Sequence, residues 1–367
     1  MSRSVVSRAV DRHLSRRNFI KAAGVVAAGT VFAPSVLRAQ ENISGELLVE
    51  TFGGAYAEAM KKYIVKPFQD KYGVKVRLGS FGNNAEQLAK LQAGNSRVDV
   101  SSINGDGVYV AIKGGALLPL RLDNIPNFSD QDPKFKSPTY ETGDGKNYSA
   151  ALVWGDQAIA YNTKKIKKAP DSWAALWNPT YKGRVAVFGA NPGPIYMTAM
   201  ALGQDMNHIS DLAAIEAKLM ALKPNLLKWW SSGSELSQLF ASGEVWIADF
   251  WRGRVNNLKK EGVPIEYVVP KEGAPSWVDT MVIPKACENR AAAEAFINTM
   301  LDATVQRNFC TKGINYAPSN VKAHLSKEEQ VFLGATPEIF KNAEFPDAAY
   351  QAAHIDEWNT ILNRVKA

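Results

Sequence analysis

The chain has 367 residues, 46% of them hydrophobic and 22% charged, with 27 Gly and 18 Pro. At roughly 150 residues per domain that length predicts about two domains, and the composition excludes a disordered, collagenous or coiled-coil protein. The net charge of +7 suggests a polyanionic partner until it is located. Residues 1 to 39 carry seven bases (Arg3, Arg8, Arg12, Arg16, Arg17, Lys21, Arg38) against Asp11, a net of +6, which leaves the other 328 residues at +1. Nucleic acid and anionic membrane surfaces are therefore not expected partners.

The first forty residues read as an export signal. Ser15-Arg16-Arg17-Asn18-Phe19-Ile20-Lys21 precedes sixteen uncharged residues, Ala22 to Leu37. A basic stretch ahead of an apolar one is the pattern of a secretory leader, and the string resembles the twin-arginine consensus. Sixteen apolar residues fall short of the roughly 20 that span a bilayer. We expect a twin-arginine signal peptide over residues 1–39, cleaved after Ala39, and delivery to the bacterial periplasm by the twin-arginine translocase. Farther on, the longest uncharged run, Val185 to Gln204, is broken by Gly189, Pro192, Gly193 and Pro194, so no membrane helix is expected there.

Strands and helices then alternate. Gly45 to Thr51 alternates around Leu47, Val49 and Thr51 as a strand, and from Ala57 the apolar positions Met60, Ile64 and Phe68 recur at helical spacing to about Lys71. A strand over 74–78, a helix over 85–92, a strand over 98–103 and a helix over 108–113 follow. The Pro-, Asp- and Asn-rich stretch 119–145 reads as an irregular connection, and 148–161 as a long strand around Trp154. A second series contains strands at 185–188, 245–250 and 265–269 with helices at 195–202 and 212–222. A turn-rich link over 270–275 leads to a crossover segment, Trp277 to Pro284, and the chain is largely helical from Ala291 onwards. This α/β alternation predicts parallel sheets covered by helices, in two lobes: residues 40–148 with 278–325, and residues 149–277 with 326–367. Loops at the carboxyl ends of both sheets would face a cleft between them. Cys287 and Cys310, the only cysteines, flank a helical stretch. They are expected either to form one disulfide in an oxidising compartment or to stay as two buried thiols.

Four separated segments carry a resemblance. Asp171-Ser172-Trp173-x-x-Leu176-Trp177-x-Pro179-x-Tyr181-Lys182-Gly183 comes first, then Phe250-Trp251-x-Gly253. Pro270-Lys271-Glu272-Gly273-x-x-x-Trp277-x-Asp279-x-x-x-Ile283-Pro284 and Gly313-Ile314-Asn315-Tyr316-Ala317-Pro318-Ser319-Asn320 complete the set. Together they closely resemble the spermidine/putrescine-binding proteins of bacterial ABC importers, over nearly all of residues 45 to 320. The resemblance implies a type II periplasmic binding protein, two hinged lobes that close on a solute and hand it to a membrane permease. It also implies a monomer with no cofactor and no metal.

The same resemblance places Trp277 against a solute's aliphatic chain and Asp279 against its ammonium. That chemistry is sound, since carboxylates form charge-assisted hydrogen bonds to cations and aromatic faces attract them. Trp251, Phe52, Tyr316, Asn104 and Asp106 match further contact positions, and Tyr56 lies close to Phe52. Trp173 and Trp177 read instead as packing residues. After the strand 185–188, however, the polyamine binders carry two carboxylates, whereas this chain has Gly189-Ala190-Asn191-Pro192-Gly193-Pro194-Ile195-Tyr196. A Gly/Pro turn opening a helix favours an anion through its backbone N–H groups, Asn191 lies in that turn, and Arg252 or Arg254 would add a bidentate partner. Two solutes thus stay open: a polyamine-like or other small amine, and a zwitterionic amino-acid derivative or opine.

Enzyme chemistry has little to stand on. His208, His324 and His354, the only histidines beyond the leader, are widely spaced, and no H-E-x-x-H, G-x-S-x-G or G-x-x-x-x-G-K-[ST] string occurs. Gly105-Asp106-Gly107 is half of a dinucleotide fingerprint, but Val110 stands where its third glycine belongs. A periplasmic enzyme built on this fold is the remote alternative, and no catalytic residues are assigned.

Overall fold

The structure is a computed structural model that describes residues 43–94, 97–141, 143–190 and 192–367. Expectations about the leader and about Asn191 lie outside the described residues.

The first strand, β1 (Glu46–Phe52), buries alternate residues Leu47, Val49 and Thr51, as a period of two requires. A helix follows, running through Ala55–Met60, a π-helical turn Lys61–Val65 and Lys66–Tyr72 (together α1). It ends at Gly73, whose φ of 67° is a left-handed cap that suits glycine. Then come β2 (Lys75–Phe81), α2 (Asn84–Ala93) capped by Asn83, β3 (Val100–Asn104) and α3 (Gly105–Lys113). Strands β2, β1 and β3 pair in parallel. After the two-residue β4 (Leu117–Leu118), the expected irregular connection contains short helical turns over Leu122–Asn124, Pro126–Asp130 and Pro133–Lys136.

The long strand β5 (Ser149–Asn162) is buried at all of its fourteen positions. The second series follows: β6 (Val185–Phe188), α4 (Gly193–Ala201), α5 (Leu212–Leu222), β7 (Leu226–Trp230), α6 (Gly233–Ser242), β8 (Ile247–Trp251), α7 (Arg252–Lys260) and β9 (Ile265–Val268). Then β10 (Ser276–Pro284) returns to the first series. Helices α8 (Arg290–Met300) and α9 (Ala303–Asn308), a π-helical turn Phe309–Ile314 and β11 (Ala317–Pro318) come next. Helices α10 (Lys327–Leu333), α11 (Pro337–Lys341) and α12 (Ala348–Lys366) close the chain.

Eleven strands form one continuous sheet whose main path is β2-β1-β3-β10-β5-β8-β6-β7. Its two halves join through β5. Residues 149–156 pair with β10, and residues 157–161 pair antiparallel with β8. The strand therefore runs with the first lobe's sheet as far as Asp156, although we expected the second lobe to begin at residue 149. Each half of the sheet is covered on both faces. Leu47, Ile64, Phe68 and Phe296 pack on one face of the first half, and Ile103, Val108, Phe135 and Trp154 on the other. Trp173, Leu176, Ile215 and Trp358 cover one face of the second half, and Trp230, Phe240 and Phe250 the other. Among the described residues no helix is long and apolar enough to cross a membrane.

Cys287 and Cys310 are both free, the second of the two expected alternatives, with Cys310 buried and Cys287 half-buried. Cys287 sits beside Asp99, whose carboxylate accepts from Leu48 N at the beginning of β1, whereas Cys310 faces Tyr56, just past that strand's far end. The strand holds the two thiols apart.

Candidate functional site

Trp277 and Asp279 lie two residues apart on β10 and so project from the same face. Opposite Asp279 stand Asn104 on β3 and Val153 on β5, and the register with β5 slips between Asp279 and Thr280. A slip of this kind re-aims a side chain. Asp279 is only 7% exposed, and among the described residues no cation forms a salt bridge with it. Burial pushes its pKa up from the ordinary 3.8 to about 8, and the nearby Asp106 charge adds to the rise while the Tyr56 hydroxyl opposes it.

Three buried polar atoms around this carboxylate complete no hydrogen bond of good geometry: Tyr56 Oη, Asn104 Oδ1 and Trp277 Nε1. Each such atom costs about 1–3 kcal/mol when left unpaired, and all three belong to residues on, opposite or in contact with the β10 segment that carries Asp279, which makes this a candidate place for a polar ligand. The hydroxyl points at Asp279, and the Tyr56 ring packs edge-on against Phe52 and Phe309, each at 5.4 Å. Phe52 in turn meets Phe81 at 4.8 Å; it supports Tyr56 as part of the first lobe's core.

The wall beyond Asp279 is aromatic. Trp277 meets Tyr316 edge to face at 4.7 Å. Glycines allow this approach: a Cβ on Gly155 would lie 2.6 Å from the Trp277 ring, and one on Gly253 2.5 Å from the Tyr316 ring. Trp251, at the end of β8, packs against Trp230 at 4.9 Å and Phe188 at 5.7 Å. Trp173, by contrast, is fully buried in the second lobe and donates from Nε1 to Gly273 O, and Trp177 Nε1 donates to Lys218 O.

The two arginines separate. Arg252 was expected to meet a solute carboxylate, but its Nε donates to Asp156 Oδ1 at 3.0 Å, its other nitrogen reaches Oδ2, and its guanidinium lies over the Tyr267 ring at 4.4 Å. An internal carboxylate already occupies its fork. Arg254, two residues on, pairs with no carboxylate among the described residues; its guanidinium lies against Gly233 and approaches the Tyr316 hydroxyl. That hydroxyl also feels the Asp279 charge. Arg254 and Asp279, groups of opposite sign, thus both act on one phenol.

Asp106, in the first turn of α3, accepts from Gln351 Nε2 at 2.9 Å, and Gln351 Oε1 accepts from Tyr196 Oη at 3.1 Å. Burial raises the Asp106 pKa, and the Gln351 hydrogen bond opposes the rise. Gly105 and Gly107 bring α3 close to its neighbours: a Cβ on either would fall 2.7 Å from Tyr140 or Ile103 respectively. The turn after β6 leads into α4 at Gly193, two residues before the expected helix start at Ile195, and Lys366 Nζ donates to Gly189 O. Gln351 and Asp156 had no sequence signal. Gln351 lies 245 residues from Asp106, and Asp156 lies 96 from Arg252.

Residues 63–341 match the family of bacterial extracellular solute-binding proteins. The chain belongs to this family. Residues 13–33 match the signal sequence of the twin-arginine translocation pathway, so this solute-binding protein is an exported, periplasmic one. It is 31% identical over 302 residues, 80% of this chain and 82% of the relative, to spermidine/putrescine-binding periplasmic protein 1 of Haemophilus influenzae. It is 29% identical over 349 residues to the gamma-aminobutyric acid-binding protein of Pseudomonas aeruginosa, covering 91% of this chain and 94% of that one. Among solved structures, a putative spermidine/putrescine ABC transporter protein from Listeria monocytogenes superposes with a TM-score of 0.77 at 26% identity, over 88% of this chain and 98% of that one. The architecture is accordingly the two-lobed fold of periplasmic binding proteins, and the chain is the solute-binding component of an ABC importer.

Proposed function

We propose that the solute is a small zwitterion of the amino-acid type, with its ammonium at Asp279 and its carboxylate at Arg254. The observation that carries this reading is that Arg254 and Asp279, groups of opposite sign, both act on the Tyr316 hydroxyl and form no ion pair with each other among the described residues. A solute with one charge of each sign neutralises both groups. Asn104 Oδ1 accepts a second proton from the ammonium, Trp277 Nε1 donates to an oxygen, and the indole rings cover the methylenes between. Both kinds of relative fit an amine at Asp279, and a relative of the gamma-aminobutyric acid-binding type fits both ends.

The second reading is a diamine or polyamine. Asp106 beside Asp279 favours it, since two carboxylates suit two positive charges. It leaves Arg254 facing a cation. Calorimetry with 4-aminobutyrate and putrescine on the wild type, Arg254→Gln and Asp279→Asn separates the two. The zwitterion reading expects Arg254→Gln to weaken 4-aminobutyrate at least about tenfold and to leave putrescine unchanged or tighter. Wild-type binding of putrescine alone, with 4-aminobutyrate inert, would overturn it. In either reading the protein works as a monomer, surrenders its solute to the importer's permease and leaves the solute chemically intact. Mass spectrometry of the solute after incubation tests that last point.

A further inference from the structure

We infer that Asp156, Arg252 and Tyr267 form a positioning device that sets the placement of Trp251 and Arg254, so that Arg252 governs solute affinity without touching the solute. The inference rests on the proposed solute site. Asp156 occupies the rung at which the sheet changes partners: it stands opposite Ser276 of β10, while the next residue, Gln157, stands opposite Trp251 of β8. Arg252 is the first residue of α7, between Trp251 and the turn that carries Gly253 and Arg254. Its fork closes on both oxygens of Asp156, and side-chain exposures of 13% and 9% place the pair in the interior.

Two more elements fix the pair. Tyr267 on β9 directs its hydroxyl to Asp156 Oδ1 at 3.0 Å and to Asp156 O at 3.1 Å, and its ring lies against the guanidinium. Gly334, the left-handed cap of α10 with φ 68°, covers the other side: a Cβ there would lie 2.4 Å from Arg252 Nε. Enclosed by β5, β9, α7 and α10, the guanidinium has one orientation. A buried ion pair is a poor way to gain stability, because its desolvation cost offsets most of its attraction. A planar, bidentate contact is a good way to fix direction. The backbone it fixes carries Trp251 on one side and Arg254 on the other.

The test compares Arg252→Gln, Arg252→Lys, Asp156→Asn and the double variant Asp156→Asn/Arg252→Gln. Two readouts are used: affinity for 4-aminobutyrate and putrescine by calorimetry, and the solute-free 19F spectrum of fluorotryptophan-labelled protein, with Trp251 assigned through Trp251→Phe. A positioning role expects Arg252→Gln and Asp156→Asn each to shift the Trp251 resonance, to leave Trp173 in place and to weaken binding about tenfold. The double variant, whose neutral amides can pair again, recovers affinity to within about threefold of wild type. Arg252→Lys, which keeps the charge paired but loses the fork, is expected between wild type and Arg252→Gln. A solute-contacting Arg252 gives the opposite pattern. Asp156→Asn would then tighten 4-aminobutyrate by freeing the guanidinium, and the double variant would bind no better than Arg252→Gln; that result overturns the inference. An unmoved Trp251 resonance in all the variants overturns it as well. If wild type binds neither probe, the proposed solute is wrong while the fluorine spectra still decide the role of Arg252.

Discussion

Amine binding at Asp279 should be driven by rising pH, because the carboxyl must lose a proton before it can pair with an ammonium. Burial holds its pKa at about 8 in the solute-free protein, against 3.8 ordinarily. Below pH 8 each bound ammonium therefore displaces a proton. Affinity should rise about tenfold per pH unit well below 8, and roughly fiftyfold between pH 6 and pH 8, for a single group titrating at 8. An alkylammonium and a solute carboxylate keep their charges over that range. The stability of the solute-free protein runs the other way. A carboxyl whose pKa is raised on folding contributes most below its unfolded value, and that contribution is lost as pH climbs from 3.8 to 8. Solute should consequently raise the melting temperature by an amount that grows with pH. Calorimetry at pH 6, 7 and 8, in buffers of differing ionisation enthalpy, measures both affinity and proton release. Asp279→Asn should abolish the pH dependence and weaken the amine by at least about tenfold. Equal affinity at pH 6 and 8 with no proton release would refute the reasoning, since the carboxylate would then be charged before any amine arrives.

Gly253→Ala should destabilise the fold by about 1–3 kcal/mol and weaken solute, because its Cβ would fall 2.5 Å from the Tyr316 ring and 2.7 Å from Ile314 O; urea unfolding and calorimetry check both. Trp173→Ala should cost about 3–5 kcal/mol yet leave solute affinity unchanged, since Trp173 is fully buried in the second lobe. Asp249, buried, has its pKa raised to about 6 by desolvation and accepts from Trp230 Nε1, Gln157 Nε2 and Phe188 N. Its contribution to stability should fall as pH rises from 3.8 to 6, and Asp249→Asn should remove that slope in urea titrations at pH 4 to 7.

The sequence showed most of the fold because most of its elements bury a regular stripe. Leu47, Val49 and Thr51 alternate, and Met60, Ile64 and Phe68 recur every fourth position. The segment 226–242 carries no such signal, for an equally physical reason. Strand β7 ends the sheet's main path, and of its five residues only Trp230 is buried, so it has no alternating pattern to read. Helix α6 opens on Gly233, a weak helix former, and its start is marked by the Ser232 side chain accepting from Glu235 N. The site divides along the same line. Trp277 and Asp279 were legible because the residues around them match a family pattern and two-residue spacing puts them on one face. The difference between Arg252 and Arg254 was not, because it depends on Asp156, which neither periodicity nor proximity in sequence connects to them.

The rungs around Asp156 bear on why the site lies where it does. Trp277 stands opposite Gly155, Ser276 opposite Asp156 and Trp251 opposite Gln157, so three successive residues of β5 align two of the site's indoles and the Arg252 anchor. Both halves of the sheet are thus referred to one stretch of backbone, and their site residues are registered by ladder hydrogen bonds where loops would leave them free. A single residue inserted or deleted in β5 at this point would turn every following side chain to the opposite face. It would break the alignment of Trp251 with Trp277 and also exchange Ile159 and Tyr161 with Ala160 between the two faces of the second lobe's sheet, disrupting that lobe's core. The close packing of Gly155 under Trp277 and Gly253 under Tyr316 adds a second constraint of the same kind. At the proposed site, solute specificity would therefore depend on strand register as well as on individual charges.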